Sequence, residues 1–299
     1  MKKSLIVLCG PTGVGKTELS LRVAQHFESP ILNADSRQIY RELPIGTAAP
    51  TAQEQALVPH YFVGTKSVRD EYNAGMYERE ALALLKELFL THDTLVMAGG
   101  AMMYIDAVCN GLDDVPDVPS KVRLQVTAEY KKNGLMWLQQ QVQKYDPQYF
   151  AAMADPQNPQ RLMHALEVCI ASGLPYSSFR KGRRKERPFD IIKIELTRPR
   201  EQLYERINRR VEWMLEQGLE NEARSVYPLR HLNSLQTVGY KEMFDYFDGK
   251  TNLDEAVRLI KQNSRHYAKR QMTWFRRDTD IKHIDISHTE IEEVIKLMS

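Results

Sequence analysis

The strongest chemical signal in this sequence is the octapeptide Gly-Pro-Thr-Gly-Val-Gly-Lys-Thr at positions 10–17. Glycines at this spacing let backbone N–H groups converge on a phosphate, and Lys16 adds a full positive charge. The Thr17 hydroxyl is a suitable ligand for Mg²⁺. The octapeptide therefore predicts a phosphate-binding loop (P-loop), made by Gly10, Pro11, Thr12, Gly13, Val14, Gly15, Lys16 and Thr17.

A carboxylate follows the next apolar segment of the chain. Asp35 begins the polar run Asp35-Ser36-Arg37-Gln38. Because the carboxyl ends of strands in an open α/β sheet form one crevice, we expect Asp35 to face the same cleft as the P-loop. In that position it could bind Mg²⁺, bind a ribose or accept a proton. The alternative is a helix N-cap that accepts backbone hydrogen bonds.

Arginine occurs on a helix face that is otherwise apolar. Leu203, Ile207, Val211 and Met214 recur at helical spacing after the pair Arg198-Pro199, and Arg210 falls inside their stripe with Arg206 at its edge. A buried guanidinium needs an anionic partner or a route to water. A bound phosphate and an internal carboxylate satisfy that need equally well.

A long helix near the C-terminus, predicted over residues 253–277, has a basic face. The side chains on this face include no acidic residue and are Arg258, Lys261, Arg265, Lys269 and Arg276. A stripe of one sign favours a nucleic-acid backbone as partner, and the alternative is a solvated surface.

Five apolar runs are short enough to be buried strands, at residues 5–9, 30–34, 94–98, 191–196 and 281–286. Helical patterns separate them, which predicts an α/β fold: a P-loop parallel-sheet core with helices on both faces. The third run lacks the terminal Asp that often orders Mg²⁺ in P-loop ATPases and continues into Gly99-Gly100.

The alternation stops between the third and fourth runs, which predicts a helical insertion domain at residues 115–185 within a core made of residues 1–114 and 186–299. Ser120 is expected to cap a helix that ends at Gly134. Asn158 and Pro159 are expected to begin a second helix over residues 160–172.

Composition narrows the possible classes of protein. The 299 residues carry a formal net charge of +2, so any affinity for nucleic acid must come from local clusters. The three cysteines are far apart, which argues against a zinc site and a disulfide framework. No segment approaches the roughly 20 apolar residues of a membrane span. We expect a cytoplasmic monomer with no membrane contact.

Several motifs, in the order in which they occur, resemble the bacterial tRNA dimethylallyltransferase (isopentenyltransferase) family. Besides the P-loop they are Asp35-Ser-Arg-Gln-Ile-Tyr40, Ile45-Gly-Thr-Ala48, Asp155-Pro-Gln-Asn-Pro-Gln-Arg161 with Ala165-Leu-Glu-Val168, Gly239-Tyr-Lys-Glu242, and Lys269-Arg-Gln-Met-Thr-Trp-Phe-Arg276. The resemblance implies transfer of a dimethylallyl group from its diphosphate to N6 of the adenosine 3′ to the anticodon. Mg²⁺ is the implied cofactor, and the anticodon stem-loop of tRNA is the implied partner.

This chemistry gives roles to the residues already found. Lys16, Arg210 and Mg²⁺ on Thr17 would stabilise the departing diphosphate, and Asp35 would accept the amine proton. By matching family positions, the tRNA contacts would be Asp35, Ser36, Arg37, Gln38, Ala101, Arg123, Gln160, Arg161, Leu162, Met163, His164, Gln236, Gly239, Tyr240, Lys241, Lys269, Arg270, Gln271 and Arg276.

Two positions depart from the family pattern. Ala101 stands where Thr is common, so a hydroxyl contact is absent or replaced. His164 stands where Arg is usual, which predicts a weaker, pH-dependent RNA contact. Two other functions remain open: a P-loop kinase for a small molecule or nucleotide, and a GTP or ATP switch that binds RNA.

Overall fold

A parallel sheet is the frame of the structure, a computed structural model that describes residues 3–182, 184–289 and 291–298. Its six strands within this range pair in parallel in the order β3-β2-β4-β1-β5-β6. They are β1 (Ser4–Cys9), β2 (Ile31–Ala34), β3 (His60–Tyr61), β4 (Thr94–Gly99), β5 (Asp190–Thr197) and β6 (Lys282–Asp285). The five predicted strands are confirmed; β3 was missed because two residues carry no periodic pattern.

Alternate side chains of β1 enter two separate cores. Leu5 and Val7 pack on one face of the sheet, whereas Ile6 and Leu8 pack on the other, and all four are fully buried. A strand buried on both faces reads as a continuous apolar run, which is how the sequence presented it. The predicted α/β class, with helices on both faces, is confirmed.

The helices connect these strands in chain order. They are α1 (Lys16–His26), α2 (Ala52–Leu57), α3 (Ala74–Leu88), α4 (Met102–Asn110), α5 (Ser120–Tyr145), α6 (Pro147–Ala152), α7 (Pro159–Ser172), α8 (Arg200–Glu216), α9 (Leu219–Val226), α10 (Tyr240–Phe247), α11 (Leu253–Phe275) and α12 (Ile291–Lys296). On α8 the predicted apolar stripe is buried in full, so the helical spacing gave the correct face.

The chain forms two compact units. The first comprises the described residues up to Cys109 and from Glu186 onward, and the second those of Asn110–Lys185. The second unit thus begins five residues before the expected position 115, because residues 110–114 bond to its last segment. The N–H of Lys185 donates to the carbonyl of Asn110 at 2.8 Å, and Asp113 Oδ1 accepts from Lys181 N–H at 3.1 Å.

The second unit has its own apolar core. Val126, Leu138 and Val142 of α5 pack with Leu162 and Leu166 of α7. The expected end of a helix at Gly134 is confirmed as a break inside α5, where φ is 77° and ψ is −172°. The expectation that Ser120 caps α5 is wrong: the N-cap is Pro119, and no side chain caps this end.

The start and end of α7 follow the sequence signals. Asn158 Oδ1 accepts from the N–H of Arg161, Pro159 occupies the first turn, and Gly173 follows the helix in the left-handed conformation. Among the described residues, every helix is too short or too polar to cross a bilayer.

The separate core of the second unit leads to a stability prediction. Leu138→Ala, at a fully buried site, should cost about 2–5 kcal/mol because it leaves a cavity. Hydrogen exchange should then accelerate in α5 and α7 and stay unchanged in β1 and β4. Leu124→Ala on the same helix is the control, since that side chain is 71% exposed. Equal acceleration in the sheet would contradict a separate core.

Candidate active site

The P-loop connects β1 to α1, as the sequence predicts. Gly15 is the N-cap of α1 and has a φ of 114°, a left-handed value that favours glycine. The N–H groups in the first turn of α1 have no partner within the helix and open toward the loop. An anion is stabilised at such a position.

Lys16 folds back on the loop. Its Nζ donates to the carbonyls of Gly10 and Pro11, each at 2.9 Å. Burial and the charge of Arg210 lower the pKa of Lys16 to about 8, while the charge of Asp35 opposes the shift. Among the described residues the ammonium group donates only to neutral carbonyls, and burial makes it less stable than it would be in water.

Two arginines hold the P-loop from outside. Arg198 Nε donates to the carbonyl of Val14 at 2.8 Å, and Arg206 Nε donates to that of Gly13 at 2.9 Å. Burial and the charge of Arg206 lower the pKa of Arg198, so like charges are close together here. The sequence placed Arg206 at the edge of a helix face but missed Arg198, which precedes α8 and lies outside its periodic pattern.

Arg210 reaches from α8 into the site. One terminal nitrogen donates to Thr12 Oγ1 at 3.0 Å and the other to the carbonyl of Thr47 at 2.8 Å. Within the described part of the chain, its buried Nε has no hydrogen-bond partner. Burial lowers the pKa of Arg210, and the charge of Asp35 opposes this. Since the observed hydrogen bonds go to uncharged groups, the guanidinium retains an unused donor and an unbalanced charge.

Asp35 holds the turn that follows it and lies near two cations. Its Oδ1 accepts from the N–H groups of Arg37 at 2.8 Å and Gln38 at 3.2 Å. Residues 36–39 form a turn and no helix, so the alternative of a helix N-cap is wrong. The same carboxylate raises the pKa of Lys16 and Arg210, so it lies near both cations. Over the described residues these bonds reach Oδ1 alone, which leaves Oδ2 for another partner.

A cleft of about 1300 Å³ in the first unit joins these groups. The predicted site residues that line it are Thr12, Gly13, Gly15, Lys16, Thr17, Asp35, Ser36, Arg37, Gln38, Arg210, Gln236, Gly239, Lys241, Arg270 and Gln271. Other predicted residues of this unit lie outside the lining, namely Gly10, Pro11, Val14, Ala101, Tyr240, Lys269 and Arg276.

Sequence reasoning missed part of the lining. Thr47 and Ala48 line the cleft, and the motif Ile45-Gly-Thr-Ala48 was the signal that could have found them. Trp213 also lines it and is 43% exposed, unusual for so large an apolar side chain. Tyr267 of α11 lines the cleft as well.

Two expected RNA contacts are replaced by internal hydrogen bonds. Gln271 is 2% exposed; its Oε1 accepts from Thr12 N–H at 2.9 Å and its Nε2 donates to the carbonyl of Gly100 at 2.8 Å. Tyr240 is fully buried and its hydroxyl donates to Glu222 at 2.6 Å. In this conformation both side chains make internal hydrogen bonds, and Gln271 ties α11 to the P-loop.

Three further expected RNA contacts are also buried. Leu162 is fully buried and Met163 is 9% exposed, because both pack in the core of the second unit. Ala101 is 7% exposed, and its N–H donates to the carbonyl of Ala34 at 3.0 Å. These apolar side chains support the fold and present little surface to RNA in this conformation, so their predicted contacts stay a prediction.

The basic face of α11 is less free than the sequence suggests. Arg258 pairs with Glu255 one turn earlier, and Lys261 pairs with Glu212 of α8 at 2.7 Å. Arg265 donates to Asn208 at 2.7 Å. The stripe is therefore partly neutralised at its N-terminal end. Toward its C-terminal end the stripe keeps the exposed residues Lys269 and Arg276, and Arg270 beside them is exposed as well.

The second unit presents polar side chains on α5 and α7. Arg123, Gln160, Arg161 and His164 are exposed. Burial and the charge of Arg123 lower the pKa of His164, which packs edge-on against Tyr176 at 5.4 Å between ring centroids. A lowered pKa favours the neutral form of the imidazole.

The sequence of this chain matches a known protein family. The family model described as IPP transferase matches residues 38–278. A "tRNA dimethylallyltransferase 2" of Porphyromonas gingivalis is 59% identical over 279 residues, covering 93% of each chain. A "tRNA dimethylallyltransferase 1" of Bacteroides thetaiotaomicron is 52% identical, covering 99% of this chain and 96% of the relative.

Solved structures share the fold. A full-length tRNA isopentenylpyrophosphate transferase from Bacillus halodurans superposes with a TM-score of 0.72 at 34% identity, covering 99% of this chain and 94% of that one. A eukaryotic dimethylallyltransferase acting on tRNA superposes with a TM-score of 0.80 at 26% identity, covering 95% of this chain and 74% of that one.

The lowered pKa of Lys16 predicts how anion binding depends on pH. Lys16 is charged below about pH 8 and neutral above it, so the affinity for inorganic pyrophosphate should fall about tenfold from pH 7 to pH 9. Titration calorimetry at both pH values measures this. Lys16→Arg keeps the charge and is the control for titration of the ligand itself. The same pH dependence in both proteins would contradict the assignment.

Proposed function

Because this chain belongs to the tRNA dimethylallyltransferase (IPP transferase) family, we propose that its cleft binds dimethylallyl diphosphate through the P-loop. The protein is a prenyl-transferring enzyme that modifies tRNA. The acceptor that the proposal names is N6 of the adenosine on the 3′ side of the anticodon. Its main support is the group of poorly balanced cations in one cleft, above all Arg210 with its unused Nε.

The diphosphate is the expected partner of those cations. Breaking the allylic C–O bond leaves negative charge on the diphosphate, so stabilising this leaving group is the largest available contribution to the rate. The N–H groups at the start of α1, the ammonium of Lys16 and the guanidinium of Arg210 are placed to supply it. Their present acceptors are neutral, and an anionic oxygen would be a stronger one.

Asp35 is the proposed general base. An exocyclic amine must lose a proton as it forms the bond to the prenyl carbon, and a carboxylate within hydrogen-bond reach can accept it. Oδ1 is held by two backbone N–H groups, which fixes the carboxylate and leaves Oδ2 to take the proton. A base stacked in a stem-loop cannot reach this cleft, so the adenosine must be extruded.

Magnesium is proposed as the cofactor, with Thr17 as its protein ligand. Thr17 is exposed and lines the cleft beside Lys16, so its hydroxyl can face a bound diphosphate. Mg²⁺ usually keeps several waters and binds through few protein oxygens plus phosphate oxygens. The residues present therefore fit a site of this type, and the ion would neutralise charge on the leaving group when bound.

The RNA surface is proposed from those residues implied by the family resemblance that either line the cleft or are exposed. In the first unit Ser36, Arg37 and Gln38 would hold the extruded adenine, while Gln236, Gly239 and Lys241 line the same cleft. Lys269, Arg270 and Arg276 would meet the RNA backbone. In the second unit the remaining candidates are Arg123, Gln160, Arg161 and His164.

A direct assay tests the proposed function. The purified protein is incubated with labelled dimethylallyl diphosphate, Mg²⁺ and an unmodified anticodon stem-loop. The expected result is a labelled adenosine, absent when that adenosine is replaced by guanosine. A parallel reaction with ATP in place of the prenyl donor should give no phosphorylated product. Transfer from ATP without prenyl transfer would instead indicate the P-loop kinase, which the relatives do not favour.

Asp35→Asn separates the proposed role of Asp35 as a general base from its role in holding the turn that follows it. Asn retains the oxygen that accepts the two backbone N–H bonds but cannot take a proton. Turnover should fall by at least about 10²-fold while tRNA affinity changes less than about threefold. Single-turnover kinetics and filter binding measure the two quantities. Asp35→Ala, which also removes the two bonds that hold the turn, is the comparison. Turnover near the wild-type rate for Asp35→Asn would exclude it as the base.

The C-terminal basic residues of α11 predict a salt effect. Lys269→Gln should weaken binding of every substrate tRNA to a similar degree and reduce the slope of log affinity against log salt by roughly one. Arg258→Gln on the same helix is the matched control, because its charge is already paired with Glu255. An effect of Lys269→Gln on only one tRNA would contradict a backbone contact.

A further inference from the structure

Glu222 is a buried carboxylate outside the cleft lining. It lies on α9 and is 9% exposed. Its Oε2 accepts from the N–H of Ile45 at 2.8 Å, and its Oε1 accepts from the N–H of Gly46 at 2.7 Å and the hydroxyl of Tyr240 at 2.6 Å. These contacts attach α9 and α10 to one short turn, residues 44–49.

That turn is tightly determined. The N–H of Ala48 donates to the carbonyl of Ile45, the N–H of Ala49 to that of Pro44, both at 2.9 Å, and Ala48 has a φ of 45°. A Cβ on Gly46 would lie 2.5 Å from the hydroxyl of Tyr240. Only glycine lets the backbone approach Tyr240 and Glu222 this closely.

The same turn orients two side chains of the cleft. The carbonyl of Thr47 accepts from Arg210 at 2.8 Å and from Gln38 Nε2 at 3.1 Å, and the carbonyl of Ala48 accepts from Gln38 at 3.0 Å. Arg210 continues the connection to Thr12 of the P-loop. A shift of the turn therefore displaces a cation of the diphosphate site and a side chain beside Asp35 together.

We propose that Glu222 is a positioning residue for prenyl transfer, which acts through residues 45–48 to set the position of Arg210 and Gln38. This rests on the proposed function of the cleft. Glu222 touches none of the groups proposed to react. Each of its two oxygens accepts one backbone N–H group of the same turn, and a glutamine amide there would present an N–H group to one of them. Without both bonds the Thr47 carbonyl loses its fixed position.

Glu222→Gln tests this with almost no change in volume. The amide presents an N–H group to one backbone N–H, so one of the two bonds is lost. We expect kcat/KM for dimethylallyl diphosphate to fall about 10- to 100-fold, because the Arg210 contact is made best in the transition state. The affinity for the tRNA backbone should change less than about threefold.

Glu220→Gln is the matched control. Glu220 lies on the same helix and pairs with Arg224 at 2.9 Å, away from the turn and the cleft. Glu220→Gln should leave kcat/KM for dimethylallyl diphosphate within about twofold of the wild-type value.

A double-mutant cycle separates positioning from a general structural role. If Glu222 acts through Arg210, then Glu222→Gln should add less than about threefold to the loss in Arg210→Gln. If Glu222 only stabilises the fold, the two losses should multiply, and that result overturns the proposal. All variants are assayed below their unfolding temperatures, checked by circular dichroism.

Gly46→Ala supplies a second route in case Glu222→Gln does not fold. The added methyl displaces the turn from the side of Tyr240 and leaves the carboxylate in place. It should lower kcat/KM for the prenyl donor and show the same non-additivity with Arg210→Gln; wild-type kinetics would overturn the proposal. If the wild-type protein fails to prenylate a stem-loop, the proposed function itself fails, which is a distinguishable outcome.

Discussion

Positive charge held at the P-loop without a strong internal anion is the constraint on which the rest of the cleft depends. Lys16 and Arg210 both donate to neutral oxygens, and burial lowers the pKa of each. Asp35 offsets part of this cost but uses one oxygen to hold its own turn. Cations held in this way are poorly compensated within the protein, and the proposed diphosphate would supply the negative charge that they lack. Binding affinity and stabilisation of the leaving group would then have the same physical source.

The side chains that surround these cations mostly hold other parts of the protein rather than substrate. Gln271 bonds to both the P-loop and the turn at Gly100, and Arg198 and Arg206 bond to P-loop carbonyls. Glu222 likewise holds the turn at residues 44–49 by accepting two of its backbone N–H groups. Catalytic groups must be fixed closely to act on one bond, and hydrogen bonds from these supporting residues fix the P-loop and the turn.

Local patterns in the sequence predicted the sheet, the P-loop and the helix stripe that carries Arg210, because strand runs, glycine spacing and helical periodicity are properties of short segments. The position of Asp35 in the cleft was foreseen, whereas the helix N-cap considered for it is in fact a turn that its Oδ1 holds. Long-range contacts were not predictable in the same way. Periodicity does not show that Glu212 of α8 neutralises Lys261 of α11, or that Gln271 turns inward to Thr12. Leu162 and Met163 were assigned to RNA from family positions, although their apolar side chains fit a core better.

The two ends of the second unit lie side by side, since the backbone N–H of Lys185 bonds to the carbonyl of Asn110. For the parallel pairing of β1 with β4 and β5, this whole segment is a single closed loop. The entropy of closing a loop grows only with the logarithm of its length, so doubling the segment would cost about 0.6 kcal/mol. Evolution can therefore lengthen, shorten or remodel this part of the molecule with little effect on the energetics of strand assembly.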